Sequence, residues 1–338
     1  MPEPSRTPYR GISIHALLFV LTVLFALLCS SCDSRNPVQG TAPKTDQPQK
    51  PAYMTMLEKR DYEAARKELL PLAEKGDADA QHFLGALHAQ GLGTPVDYQE
   101  AMKWFRKSAD QGNAKAQYDI GVTYIKGRGV PTDPKEGVVW FRKAAEQNFA
   151  SAQYNLGLCF AEGLGVTRDD LEAVKWYRKA ANQGDASAQN NLGRMYSEGR
   201  GVPEDHGQAV GWYLKAADQG DAIAMFNLGV KYSNGQGVDR DQKKAAEWYR
   251  KAALKGVTNA QIKLGICHVK GEGVTKDDVQ GYKWFYIAAQ WGDKNGQEGM
   301  KINATSMTQK QIDEAIRLAK EEMVNISPPV ASLLVDKH

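Results

Sequence analysis

Six tryptophans recur at intervals of 36 residues along the chain, and this period constrains the fold more than any other feature of the sequence. They are Trp104, Trp140, Trp176, Trp212, Trp248 and Trp284. A glycine ladder (Gly85, Gly121, Gly157, Gly193, Gly229, Gly265) and an aspartate ladder (Asp97, Asp133, Asp169, Asp205, Asp241, Asp277) follow the same step. A fixed period of this length is typical of tandem structural repeats, each of which is too small to bury a core alone.

Each repeat has the pattern of two amphipathic helices. In one repeat, Asp185 is a residue of the N-cap type, and the residues that follow it place small and apolar side chains on one helical face. Gly199 and Gly201 are expected to end this first helix, because glycine adopts the left-handed conformation of a helix C-cap readily. Asp205 then caps a second helix that ends at Gly220. The sequence therefore predicts an all-α fold of antiparallel helix pairs.

The repeats have different segments at their two ends. We expect six helix-pair repeats at 77–292, preceded by a capping half-repeat at 53–76 in which Glu68 replaces the tryptophan. A partial repeat and a C-terminal capping helix follow at 293–327, and a flexible tail at 328–338 completes the chain. End segments of this kind cover the hydrophobic faces of the terminal repeats.

The N-terminal segment 1–31 has the pattern of a signal peptide, with basic residues before an apolar stretch at 12–28. Its end resembles a bacterial lipobox, which implies that Cys32 becomes lipidated after cleavage. Cys29 departs from this motif, which prefers leucine at that position. Three interpretations remain open: a lipid anchor at Cys32, an uncleaved signal anchor, and a protein that is released.

Residues 32–52 are polar and rich in proline, which predicts a disordered tether between Cys32 and the repeats. Asp33 resembles the residue that retains some lipoproteins at the inner membrane, and the outer membrane is the alternative. We therefore expect a location in the bacterial cell envelope, facing the periplasm.

The repeat reads AQYNLG at 152–157, GLG at 163–165 and AVKWYRKAA at 173–181. Over about residues 54–325 this pattern resembles the Sel-one-like repeat family, which is related to the tetratricopeptide repeats. The resemblance implies a right-handed superhelical solenoid of helix pairs. It also implies a role as an adaptor or scaffold that binds other proteins.

In tetratricopeptide-like arrays the first helix of each repeat, helix A, lines a concave groove where asparagines hold an extended peptide. The positions that match this role by resemblance are Asp119, Asn155, Asn191, Asn227 and Lys263. An amide both donates and accepts hydrogen bonds, which suits a peptide backbone. The alternative is that these side chains bond within the stack or face water. One turn later, a second ladder is expected on the same accessible stripe: Thr123, Cys159, Met195, Lys231 and Cys267.

Other kinds of function find little support in the residues. The chain has 43 basic and 40 acidic residues, a balance that argues against a nucleic-acid-binding surface. The repeated Gly-x-Gly loops follow no strand and are interpreted as helix caps rather than phosphate cradles. We expect no cofactor, metal or catalytic residue. Two alternatives to a scaffold remain: an envelope enzyme or cell-wall-modifying factor acting on peptidoglycan or β-lactam-like substrates, and a structural factor in envelope assembly.

Overall fold

The computed structural model describes residues 50–326, and every regular element in this part of the chain is an α-helix. The chain divides into two compact units at Asp133 and Pro134. The described part of the N-terminal unit contains α1 (Ala52–Glu58), α2 (Tyr62–Glu74), α3 (Ala78–Gln90), α4 (Tyr98–Asp110) and α5 (Ala114–Lys126).

The described part of the C-terminal unit contains eleven helices. They are α6 (Pro134–Glu146), α7 (Ala150–Glu162), α8 (Asp170–Asn182), α9 (Ala186–Glu198), α10 (His206–Asp218), α11 (Ala222–Asn234), α12 (Gln242–Leu254), α13 (Thr258–Lys270), α14 (Asp278–Gln290), α15 (Lys294–Ala304) and α16 (Gln309–Met323). Helices α3, α5, α7, α9, α11 and α13 are the helices A of the repeats, and α4, α6, α8, α10, α12 and α14 are the helices B. The predicted all-α fold of helix pairs is confirmed.

The two helices of a pair run antiparallel and touch where one of them lacks a side chain. In the pair α13–α14, Phe285 lies over Gly265 near the middle of both helices, while Gly281 near the start of α14 lies against Val269 near the end of α13. A Cβ atom added at Gly265 would stand only 2.7 Å from the Phe285 ring. The glycine ladder therefore exists because it lets an aromatic ring of helix B press onto helix A.

The helix ends follow the predicted capping chemistry. The Asp185 carboxylate accepts a hydrogen bond of 2.7 Å from the backbone N–H of Ala188 at the start of α9. At the other end of α9, Gly199 has φ of +64° and forms the left-handed C-cap. The Asp205 carboxylate accepts from the backbone N–H of Gln208 at 2.9 Å and so begins α10.

The second glycine of each loop has a different role from the first. Gly201 has φ of +66°, and a Cβ atom there would overlap the backbone of Asp170 and Leu171 at the start of α8. Gly237 lies against the start of α10 in the same way. The loop of one repeat thus rests on the first turn of helix B of the preceding repeat, which only glycine permits.

In five of the six repeats the tryptophan lies nearer the surface than the aromatic residue that follows it, whereas Trp284 is as deeply buried as Phe285. Tyr177 and Tyr213 are almost completely buried, whereas Trp140, Trp212 and Trp248 are half-buried. In five repeats the lysine three residues after the tryptophan lies with Nζ 3.9–4.1 Å from the ring centre: Lys107 on Trp104, Lys143 on Trp140, Lys179 on Trp176, Lys215 on Trp212, Lys251 on Trp248. These cation–π contacts cover the rings on the helix B surface.

Helix α16 closes the C-terminal end of the stack. It packs on α14, with Ala315 and Ala319 fully buried. The ammonium of Lys283 on α14 donates to the Glu322 carboxylate at 3.1 Å, and only 9% of the Lys283 side chain is exposed. The helix therefore covers the hydrophobic face that the last pair would otherwise expose to water.

Candidate protein-binding surface

Five positions that share one face of each helix A in the C-terminal unit are at least partly exposed. In α7 they are Ser151, Tyr154, Asn155, Leu158 and Glu162, whose spacing of three and four residues places them on one helical face. The equivalent residues are Ser187, Asn190, Asn191, Arg194 and Glu198 in α9, Ile223, Phe226, Asn227, Val230 and Asn234 in α11, and Asn259, Ile262, Lys263, Ile266 and Lys270 in α13. We call these positions the helix A surface.

The predicted asparagines of this surface form hydrogen bonds within the stack. The Asn227 amide donates to Asn190 Oδ1 of the preceding helix A at 3.0 Å, and the Asn191 amide lies 3.5 Å from the Tyr154 hydroxyl. Asn155 donates to the backbone carbonyl of Ser151 at 2.9 Å. The contacts of Asn191 and Asn227 reach the preceding helix A and hold the two helices beside each other, whereas the Asn155 bond lies within its own helix. Hydrogen bonding within the stack is the alternative to peptide binding that the sequence left open for these asparagines.

Asp119 differs from the other predicted groove residues, because its side chain is buried. It lies in the N-terminal unit, is 8% exposed, and its Oδ2 is 2.8 Å from His82 Nε2. His82 is itself 5% exposed. The expectation that Asp119 is accessible to a partner is therefore wrong, because the aspartate pairs with the preceding helix A instead.

Of the predicted set, Lys263 is the one residue that is exposed, while the others are buried or half-buried. The preceding helix A places Phe226 where α7 and α9 place Tyr154 and Asn190, and a phenyl ring offers no hydrogen-bond acceptor in its plane. Within residues 50–326, Lys263 takes part in no salt bridge. Its ammonium group is available to a ligand.

The second predicted ladder is buried and does not belong to the accessible surface. Thr123, Cys159, Met195, Lys231 and Cys267 are at most 9% exposed. Four residues turn a helix by about 40° beyond a full circle, and this rotation carries the side chains towards the loops and helices B. The ammonium of Lys231, for example, lies 3.2 Å from His206 Nδ1 and 3.3 Å from Gln236 Oε1.

The two cysteines of the repeats are free and unsuited to nucleophilic chemistry. Burial raises the pKa of the Cys159 thiol to about 12 and that of the Cys267 thiol to about 11. Both thiols therefore stay protonated at neutral pH, whereas a nucleophilic cysteine needs its thiolate form.

A buried glutamine in helix A is a structural feature that the sequence patterns did not single out. In α9, Gln189 donates to the Ala181 carbonyl at the end of α8 at 3.1 Å and accepts from Gln219 of the next helix B at 2.8 Å. The same donation to helix B recurs at Gln81, Gln117, Gln153 and Gln261. The recurrence of glutamine at this position was the signal available. The bonds join three successive helices and give the Ala181 carbonyl a second donor besides the backbone N–H of Gly184.

Neither a cluster of metal-ligand side chains nor a membrane-spanning helix is present between residues 50 and 326. Within residues 50–326, no group of three or more His, Cys, Asp or Glu side chains is arranged to hold a metal ion. Among the helices in the same range, none combines the length and the apolar character needed to cross a bilayer. The predictions made for Cys32 and Asp33 lie outside the described residues.

Taken with the fold, these features define a tandem helix-pair repeat protein with a surface suited to binding. The chain belongs to the Sel1 repeat family, which it matches in six consecutive segments: 78–113, 114–149, 150–185, 186–221, 222–257 and 258–293. Proteins of this family generally serve as non-catalytic scaffolds for protein–protein interaction.

Solved structures of bacterial repeat proteins resemble the chain. A Sel1 repeat protein from Oxalobacter formigenes is 34% identical, with a TM-score of 0.65, and the match covers 70% of this chain and 94% of that one. A protective antigen present in uropathogenic Escherichia coli strains, which displays the same repeat fold, is 27% identical over 81% of this chain and 84% of its own, with a TM-score of 0.44. A putative Sel1 repeat protein from Klebsiella pneumoniae is 23% identical over 59% and 97% respectively, with a TM-score of 0.41. No curated protein matches the chain at a significant level.

Proposed function

We propose that this protein is a scaffold or adaptor of the bacterial cell envelope, and that its helix A surface binds a polypeptide segment of a partner protein. The observation that carries the proposal is a row of incompletely buried apolar side chains at equivalent positions of the helices A. Leu158, Val230 and Ile266 are half-buried, and Ile302 continues the row in α15 with 64% of its surface exposed. Apolar side chains that recur along one face are typical of a protein-binding surface.

Among the described helices B, no comparable apolar row recurs from repeat to repeat. Val139 on α6 and Leu171 on α8 are exposed, but they occupy different positions of their helices. The half-buried tryptophans are covered by the lysines stacked on them, and most other exposed positions are charged. On the helix A surface the asparagine hydrogen bonds hold the helices in place, so that little ordering is needed when a ligand binds. A protein–protein interface of ordinary size buries about 600–1,000 Å² of surface on each partner.

The location in the envelope is the second part of the proposal and rests on residues 1–52. A signal peptide at 1–31, lipidation of Cys32 and a proline-rich tether would hold the repeats at a membrane and expose them to the periplasm. Incorporation of labelled palmitate into the wild-type chain, and its loss in Cys32→Ser, tests the anchor. Equal labelling of both proteins would contradict it.

Site-specific photo-crosslinking in living cells tests the binding surface. A photoreactive phenylalanine analogue replaces Val230 or Ile266 on the helix A surface, and Gly211 or Leu171 on helices B as matched exposed controls. We expect discrete covalent adducts from the helix A positions and none from the controls. Adducts that form only from the helix B positions would contradict the proposal.

An assay of turnover separates the scaffold from the enzyme alternative. The purified full-length chain is incubated with peptidoglycan and with a β-lactam, without any partner protein. We expect neither substrate to be consumed, since the described residues contain no activated thiol. Steady turnover that depends on the concentration of the chain would contradict the scaffold proposal.

A further inference from the structure

The helix A surface changes its charge along the C-terminal unit. Helix α7 contains a single charged residue, Glu162, whereas α13 contains Lys263 and Lys270 and no acidic residue. In α15, Lys294 and Lys301 outnumber Glu298. The α13–α15 end is therefore basic, and the α7 end is acidic.

The acidic end of the surface is already neutralised in part by the protein itself. In α9, Arg194 occupies the position that Leu158, Val230 and Ile266 occupy in the neighbouring helices A. Its guanidinium lies 3.9 Å from the Glu162 carboxylate of the preceding helix A. This contact partly neutralises the Glu162 carboxylate at the α7–α9 end. Among residues 50–326, no comparable contact joins Lys263 to another helix A.

The lysines at the basic end are available because their internal partners are absent or weak. Lys263 takes part in no salt bridge among the described residues. Lys270 approaches Glu272 only to 3.9 Å, with 62% of the lysine side chain exposed. Lys301 lies 3.7 Å from Glu298 within one helical turn, with 75% of its side chain exposed. Exposed pairs of this kind contribute little to stability, so a ligand can replace them.

Apolar side chains lie among these lysines. Ile262, Ile266 and Phe226 are half-buried, and Ile302 stands at the position of α15 equivalent to Ile266. The apolar and basic side chains therefore alternate along the surface of α13 and α15. A ligand that fills this area must present both apolar groups and negative charge.

We propose that the α11–α15 end of the helix A surface binds an acidic polypeptide segment whose carboxylates pair with Lys263 and Lys270 and whose apolar side chains contact Ile266 and Ile302. This inference rests on the proposed function, and it adds the chemistry of the partner and the place where the partner binds. Electrostatic complementarity of this kind gives selectivity and accelerates association.

Fluorescence anisotropy of labelled peptides on the purified full-length chain tests the inference. The probes are three fluorescein-labelled peptides of equal length, in which leucine alternates with glutamate, with glutamine or with lysine. We expect the glutamate peptide to bind most tightly and to lose affinity as salt is added. Lys263→Glu combined with Lys270→Glu should weaken its binding about tenfold or more and strengthen binding of the lysine peptide, because attraction becomes repulsion.

A matched control variant carries Lys243→Glu and Lys255→Glu, which change the net charge equally but lie on α12 and at its C-cap. It should bind all three peptides as the wild type does, and circular dichroism of both variants should match that of the wild type. Equal binding of the glutamate and lysine peptides, or equal loss in both variants, would overturn the inference.

Three further results distinguish failure of this inference from failure of the proposed function. If the three peptides bind equally and Ile266→Asp abolishes binding of all of them, the surface still binds polypeptides and only the acidic preference fails. If deletion of residues 327–338 raises the affinity for the glutamate peptide, or if the chain self-associates through Lys263, the surface is occupied by the chain itself. Either of these last two results would overturn the acidic-partner inference.

Discussion

Two helical glycines of the same repeat should respond in opposite directions to substitution by alanine. At Gly193 in α9, an added Cβ atom would stand 2.8 Å from Cδ1 and Cε1 of the Tyr213 ring and 3.1 Å from the Ala209 carbonyl oxygen. At Gly211 in α10, nothing lies within 4 Å of the added atom. Tyr213 is 2% exposed, so its ring has no free space into which to move.

The magnitude follows from two opposing contributions. Alanine is favoured over glycine in a helix interior by about 1 kcal/mol, and this gain applies to both positions. Forcing an extra carbon into a packed contact costs about 1–3 kcal/mol, and this cost applies only to Gly193. We therefore expect Gly211→Ala to raise the free energy of unfolding by about 0.5–1 kcal/mol. Gly193→Ala should lower it by as much as about 2 kcal/mol.

Urea denaturation followed by circular dichroism measures both effects. The difference between the two variants, about 1–3 kcal/mol, isolates the cost of the aromatic–glycine contact because the helix-propensity gain cancels. The slopes of the transitions need to agree among the three proteins, since arrays of repeats can lose two-state behaviour. If both variants are stabilised equally, the proposed reason for the glycine ladder is wrong.

Substitutions at three further positions test other parts of the stack. Gln189→Met should cost about 0.5–1.5 kcal/mol in a urea titration, because the hydrogen bonds to the Ala181 carbonyl and from Gln219 are lost while the Ala181 carbonyl keeps the Gly184 N–H as a donor; no loss would contradict the structural role of the glutamine. Asn148 has φ of +65°, and its Oδ1 accepts hydrogen bonds from Gln153 and Gln183. Asn148→Ala and Asn148→Gly both lose these bonds, but only alanine is strained at this φ, so Asn148→Ala should lower the free energy of unfolding by about 1–2 kcal/mol more than Asn148→Gly; equal effects in thermal denaturation would contradict this. Hydrogen bonds from Arg200 lower the pKa of Asp170 from 3.8 to about 2, so the pair stabilises the fold above about pH 4 and ceases to do so as pH falls towards 2. The stability lost in Asp170→Asn should therefore be largest above pH 4 and shrink towards pH 2, and a loss independent of pH would contradict this account.

The fold was predictable because its determinants lie close together in the sequence. Asp185, Gly199 and Asp205 end or begin helices through contacts with their own neighbours, and the 36-residue step places each pair in register with the next. The second glycine of each loop was harder to explain. Its close contact is with the backbone of the preceding repeat, as at Gly201 with Asp170, and no local pattern indicates such an approach.

The sequence predicted which face of the helices A is accessible, but it did not predict the contacts that each side chain on that face makes. The period identifies equivalent positions, but it does not show what the preceding helix A offers to each of them. Asp119 is buried because it pairs with His82 on the preceding helix A. Asn227 forms a hydrogen bond because Asn190 lies opposite it on the preceding helix A. These partners lie 37 residues apart, one more than the period, so a comparison of equivalent positions misses them. Lys263 is available to a ligand for the same reason, since that offset places Phe226 opposite it.

Covalent labelling of lysines tests the central claim most directly, namely that a partner protein covers the helix A surface of the C-terminal unit. The full-length chain is treated with acetic anhydride, alone and in complex with the partner identified by crosslinking, and mass spectrometry measures the label on each lysine. Lys263, Lys270 and Lys301 should be labelled less in the complex, while Lys243 and Lys255 are labelled equally with and without the partner. Protection of the helix B lysines, with Lys263 and Lys270 labelled as in the free protein, would contradict the account.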